Sequence, residues 1–143
     1  MATIGHAEHR KTGAALWTVQ GLLAVIFLFA GGMKLAMPIE MLAQAMPLPA
    51  EFLKFIGLAE VMGALGLILP GLLRIRVGLT PLAAAGLVII MAGATVVTLL
   101  TSEATGAAVP LVIGLLASWV AYGRTRLAPH RESLRRLQVQ LAS

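Results

Sequence analysis

The chain has 143 residues, of which 59% are hydrophobic and 12% are charged, and its net charge is +5. With a mean hydropathy of +0.92, it is too apolar for an ordinary soluble domain and is expected to form one integral membrane unit. It contains no cysteine, which excludes disulfides, thiolate metal sites and thiol catalysis. The basic residues lie beside apolar spans, where membrane orientation and anionic lipids account for them, so no nucleic-acid binding is expected.

The first predicted element is an apolar span over residues 14–36, which follows a polar, basic lead-in over residues 1–13. The span is too long for the apolar region of a signal peptide, so we expect it to be retained in the membrane. Gln20, Gly31 and Lys34 share one face of this helix, because their spacings are close to whole helical turns. We expect that face to point into a bundle.

A short segment over residues 37–49 comes next, and its prolines and amphipathic pattern place it at the membrane surface. The second span, residues 50–69, has a single carboxylate near its middle, that of Glu60. At about 1.5 Å per residue, Glu60 lies about 15 Å into the span, which is roughly the midplane of the hydrocarbon core. A charge at that depth costs about 2.5 to 3.5 kcal/mol and usually faces the interior of a bundle. Glu60 is therefore the first candidate for a functional residue.

The third span, residues 78–100, contains no charged residue but many small ones, which predicts close packing against its neighbours. Thr95 and Thr98 lie about one turn apart in it and can bond backbone carbonyls or partner an acid. The fourth span, residues 106–122, ends in aromatic residues typical of a membrane interface.

A basic tail over residues 124–143 has an apolar leucine stripe that suits a helix lying on anionic lipid. Most basic residues fall before the first span, between the second and third spans, and after the fourth. The positive-inside rule then predicts that both termini are cytoplasmic. The predicted fold is an all-α, integral membrane four-helix bundle over residues 14–123.

The natural partner of Glu60 is Lys34, unless that lysine instead extends to the outer headgroups. Without that partner, Glu60 would be neutral and would hydrogen-bond Gln20, Thr95 or a bound ligand. The predicted ligand-binding residues are Glu60, Lys34, Gln20, Thr95 and Thr98. No catalytic residue can be assigned, and no metal site is expected.

Other reaction chemistries lack their residues. His6, His9 and His130 all lie outside the predicted spans, so they cannot ligate a haem or a metal pair within the membrane. Glu60 is the single acid near the middle of a span, which leaves a paired-carboxylate mechanism without its second group. These absences favour a protein that is not an enzyme.

The order of polar and small residues resembles the DoxX-like family of small four-helix bacterial membrane proteins. The matching stretches are FLFAGGMKL at residues 27–35, FIGLAEVMGALGL at residues 55–67 and LTPLAAAGLVIIMAG at residues 79–93. The resemblance covers residues 17–123 and places Lys34 and Glu60 at polar positions of the family. It implies a multi-pass protein of the bacterial inner membrane.

Members of that family have been linked to quinone-coupled sulfur oxidation and to membrane oxidoreductase or oxidative-stress assemblies. The resemblance implies a bundle that binds a small lipophilic molecule, such as a quinone or lipid, or supports a membrane oxidoreductase complex. The lack of cysteine and of intramembrane histidine argues against the chain being the redox centre itself. Membrane lipids are expected partners in every case.

Three alternatives stay open at this point. The chain could be a small-molecule or proton-coupled transporter, which with four spans would have to act as a homo-oligomer. It could also be a membrane isomerase or hydrolase that uses Glu60 as its general acid or base. In the third alternative, Glu60 has a packing role alone.

Overall fold

The computed structural model describes residues 2–45, 47–73, 75, 78–101, 104–127 and 138–142. Its helices are Ala2–Ala36 (α1), Ile39–Ala45 (α2), Ala50–Leu72 (α3), Leu79–Thr101 (α4) and Ala104–Tyr122 (α5), followed by a π-helical turn, Gly123–Leu127. No strand occurs in the described part of the chain. Four helical segments are long and apolar enough to cross a membrane, and they are Lys11–Ala36, Ala50–Leu72, Leu79–Thr101 and Thr105–Arg126. The prediction of an all-α, four-helix membrane bundle is confirmed.

The four long helices form a ring in the order α1, α3, α4, α5, and α5 closes the ring by a smaller contact with α1. Buried apolar side chains from all four helices fill its interior, among them Phe27, Leu67, Leu87 and Val120. Many large apolar side chains point outward instead, as Leu100 does with 81% of its surface exposed. An outward apolar surface is what a lipid environment requires of a bundle this small.

The helices α1 and α3 cross with their backbones in close contact. A Cβ atom at Gly31 would lie 2.5 Å from the carbonyl oxygen of Gly57, and one at Gly57 would lie 3.0 Å from that of Gly31. Glycine at both positions therefore permits the crossing. The Cβ position at Gly57 is also 2.9 Å from the Cβ of Lys34, which shows that Lys34 lies against α3 at this point.

The helices α3 and α4 approach each other through small residues as well. A Cβ at Gly63 would lie 2.7 Å from the side chain of Leu87, and one at Gly66 would lie 2.8 Å from the Cβ of Ala83. The close packing that the small residues of the third span predict is therefore present on the side that faces α3.

The short helix α2 and its flanking segments join α1 to α3. Leu42 packs with Ala50 and Leu53 at the start of α3. The ammonium group of Lys54 donates to the carbonyl oxygens of Leu35 and Met37, at 2.6 and 2.7 Å. The last carbonyls of a helix lack partners within it, so Lys54 satisfies one at the end of α1 and one just beyond.

The basic tail predicted over residues 124–143 is described only in part. Residues 124–127 continue α5 as the π-helical turn, and Ala142 donates to the carbonyl of Gln138 in one helical turn near the end of the chain. The prediction for residues 128–137, which include His130, lies outside the described residues. The cytoplasmic location of both termini stays a prediction.

Candidate functional site

Lys34 and Glu60 form an ion pair where α1 crosses α3. The Nζ atom of Lys34 lies 2.8 Å from Oε2 of Glu60, and the two side chains are 18% and 3% exposed. The glycine crossing explains this geometry, because it places Lys34 beside Gly57, which is about one helical turn from Glu60. The lysine therefore pairs with the acid and does not extend to the outer headgroups.

The ion pair leaves hydrogen-bonding capacity unused. Among the described residues, Lys34 and Glu60 each have the other as their one polar partner, through a single N–H and a single oxygen. An ammonium group has three donors, and a carboxylate accepts through both of its oxygens. Two N–H groups of Lys34 and the Oε1 atom of Glu60 are thus available to a bound molecule.

A cavity of about 380 Å³ opens beside the ion pair, between α3 and α4. Its polar lining consists of Lys34, Glu60 and Thr98, and its other lining residues are apolar, with Phe52 and Ile90 among them. Sites for small molecules are commonly clefts of about 300 to 1,000 Å³ with apolar walls and a few polar groups. The cavity has this character.

The five predicted ligand-binding residues do not all meet at this cavity. The hydroxyl of Thr98, which lines the cavity, donates to the carbonyl of Ala94 at 2.8 Å and keeps its lone pairs as acceptors. Thr95 is absent from the lining, and its hydroxyl donates to the carbonyl of Met91 at 2.8 Å. The structure therefore groups Thr98, but not Thr95, with the ion pair.

Gln20 lies elsewhere in the bundle. Its side chain is fully buried, and its Nε2 donates to the carbonyl of Leu67. Leu67 is seven residues beyond Glu60 on α3, which corresponds to about 10 Å along the helix axis. Gln20 thus faces the interior, as its position on the helix face predicts, but it belongs to a different contact.

A sequence profile of the DoxX-like family matches residues 18–120, a segment that includes most of each of the four membrane helices and the Lys34–Glu60 pair. The chain belongs to the DoxX-like family. The resemblance inferred from the sequence is thereby confirmed, and the chain is a multi-pass membrane protein by family and by its four apolar helices. Comparisons with curated proteins and with solved structures gave no match.

A second polar cluster connects helices of this DoxX-like protein. It is centred on Gln20, which lies about 21 Å from Lys34 along α1. Arg124 donates from Nε to Oε1 of Gln20 at 2.9 Å. Its guanidinium group lies over the ring of Trp17, 5.2 Å from the ring centroid, a favourable cation–π arrangement. Through Gln20 and its bond to Leu67, the end of α5 is thus connected to both α1 and α3.

The sequence does not reveal this role of Arg124, which there belongs to a run of basic residues after the last span. The bond to Gln20 joins residues 104 positions apart, and no local pattern marks such a contact. The one feature of the sequence that indicates this contact is the presence of two groups that can hydrogen-bond each other, the inward-facing amide of Gln20 in the first span and the cation of Arg124 at the end of the fourth. Among the described residues of the DoxX-like protein, no group of three histidine, cysteine or acidic side chains could hold a metal ion.

Proposed function

We propose that this DoxX-like protein binds a small lipophilic molecule with a polar head, such as a quinone, in the cavity beside Lys34 and Glu60. The observation that carries the proposal is a partly buried ion pair with unused donors and acceptors on the wall of a largely apolar cavity. Electrons would come from a partner oxidoreductase in the same bacterial inner membrane, since the proposal assigns no redox step to the chain itself.

The ion pair offers both kinds of hydrogen bond that a quinone and its reduced form need. The ammonium group of Lys34 can donate to a quinone carbonyl, and Oε1 of Glu60 can accept from a quinol hydroxyl. The glycine crossing holds both groups in place before the ligand arrives, which lowers the cost of ordering them on binding. The apolar walls then exclude water from the bound head.

The test is mass spectrometry of small molecules extracted from the purified protein, with wild type compared with Glu60→Gln and Gly93→Leu. Gly93 lines the cavity, and a Cβ there would meet no atom within 4 Å, so a leucine can occupy the cavity without a clash at its base. The matched control is Gly21→Leu, because Gly21 lies 13 residues before Lys34 on α1 and its Cβ position is equally open.

We expect a defined lipophile in wild type and in the Gly21→Leu control, less of it in Glu60→Gln and none in Gly93→Leu. Recovery of the same lipids in equal amounts from all four proteins would contradict the proposal. In that case, Glu60 and Lys34 would serve the packing of α1 against α3.

A further inference from the structure

A larger apolar space adjoins the cavity along the same pair of helices. A groove of about 520 Å³ lies between α3 and α4, and every residue that lines it is apolar. Ile90 lines both the groove and the cavity, so the two spaces lie next to each other and share this side chain as a wall. The rim of the groove faces the lipid, because Met62 and Leu82 are 62% and 67% exposed.

The groove leads away from the ion pair toward the opposite end of the bundle. Its lining on α3 begins at Ala59, next to Glu60, and extends to Pro70. At about 1.5 Å per residue, this distance is about 16 Å along the helix. Small residues, Gly63 and Gly86 among them, make the groove concave at the points where larger side chains would fill it.

We propose that the ligand of the cavity is an amphiphile with a long apolar tail, and that the tail lies in this groove. The inference rests on the proposed function and extends it from a polar head to a head with a tail. The cavity has room for a ring and its substituents, so a long tail has to leave it. Between α3 and α4, the groove begins on the other side of Ile90 from the cavity, and no polar side chain lines it.

A tail in the groove gains contacts that a tail in bulk lipid does not have. Within a bilayer there is no hydrophobic driving force, so the gain comes from dispersion contacts with a preformed concave surface. Because these contacts add up along the chain, the groove selects for tails long enough to occupy it. The substrate class would be alkylated or prenylated quinones, as opposed to quinones with short substituents.

The test uses two probes, a methyl-substituted benzoquinone and the same quinone with a decyl chain, bound to protein in lipid nanodiscs. Gly86→Leu fills the groove, since a Cβ at Gly86 would meet no atom within 4 Å. Gly93→Leu fills the cavity, and Gly21→Leu is the control. Each variant is compared with wild type for one probe at a time, so differences in partitioning into lipid cancel.

We expect Gly86→Leu to weaken binding of the decyl probe by about tenfold and to leave binding of the methyl probe unchanged. Gly93→Leu should weaken binding of both probes, and Gly21→Leu should weaken binding of neither. If Gly93→Leu weakens binding of both probes and Gly86→Leu weakens binding of neither, bulk lipid fills the groove. The inference about the tail is then wrong, while the proposed function stands. If Gly86→Leu weakens both probes equally, the tail inference is also wrong. If Gly93→Leu and Glu60→Gln leave both probes unchanged, the proposed function itself fails.

Discussion

Replacing Gly31 by alanine tests how the ion pair is positioned. The new Cβ would lie 2.5 Å from the carbonyl oxygen of Gly57, 2.9 Å from a methyl group of Val61 and 3.0 Å from the Cβ of Glu60. The methyl group of Val61 can rotate away from such a contact, but the backbone oxygen of Gly57 and the Cβ of Glu60 cannot. The helices α1 and α3 must therefore move apart.

The size of the movement follows from these distances. Ordinary contacts of a Cβ begin at 3.4 Å, so the crossing has to open by about 0.9 Å. If the whole shift reaches the ion pair, the distance between Lys34 Nζ and Glu60 Oε2 grows from 2.8 Å to about 3.7 Å, beyond hydrogen-bond range. Overpacking of this kind costs about 1 to 3 kcal/mol, against a gain of up to about 1 kcal/mol in helix propensity.

The matched control is Gly32→Ala, one residue further along the same helix. A Cβ at Gly32 meets no atom within 4 Å, so this variant has the gain in helix propensity without the clash. The assay is unfolding in mixed micelles by added sodium dodecyl sulfate, followed by circular dichroism. We expect Gly31→Ala to unfold at a clearly lower detergent fraction than wild type, and Gly32→Ala at an equal or higher fraction.

Repeating Gly31→Ala in a Glu60→Gln background separates the clash from the stretched ion pair. The loss in unfolding free energy should be smaller there, because the ion pair is already absent. If Gly31→Ala and Gly32→Ala unfold together, the two backbones are not held at the distance described, and the account of how Lys34 reaches Glu60 is refuted.

Three further predictions concern the polar contacts, each measured against wild type. Lys34→Met should cost about 3 kcal/mol in the same unfolding assay, because it leaves the buried Glu60 carboxylate unpaired. Glu60→Gln should cost less, because its amide oxygen can still accept a hydrogen bond from Lys34, and the double variant should lose less free energy than the sum of the two single variants. Additive losses would show that the pair does not interact. Gln20→Leu should cost about 1 to 3 kcal/mol, because it leaves the Arg124 Nε without its partner and removes the side-chain hydrogen bond from α1 to α3. In that background, Arg124→Met should lower the unfolding free energy by less than it does in wild type. If Arg124→Met lowers the unfolding free energy by as much in the Gln20→Leu background as in wild type, Arg124 does not stabilise the bundle through Gln20. Lys54→Met should speed amide hydrogen exchange in the last turn of α1, measured by mass spectrometry, and unchanged exchange there would exclude the capping role.

The amino-acid sequence by itself determines the class of fold. The thickness of a bilayer requires about 20 apolar residues for each span, and four such stretches are visible without any tertiary information. The cost of a charge near the bilayer midplane also makes Glu60 conspicuous and requires either a partner for its charge or a hydrogen bond for its neutral form. The order of these polar and small residues was enough to identify the family.

The tertiary structure decides which residues meet. Lys34 lies two residues before the end of α1, and Glu60 lies ten residues into α3, yet they pair because α1 and α3 cross at Gly31 and Gly57. Thr95 and Thr98 are three residues apart, and only Thr98 lines the cavity.

Helix offset and helix rotation are the two quantities that the sequence leaves undetermined. The helices α3 and α4 are largely apolar all around, so hydrophobic periodicity does not indicate which face points inward. In a membrane, that choice depends on close packing between small residues and on polar contacts between helices. The cavity, the groove and the link from Arg124 to Gln20 all depend on that packing, so only the folded bundle reveals them.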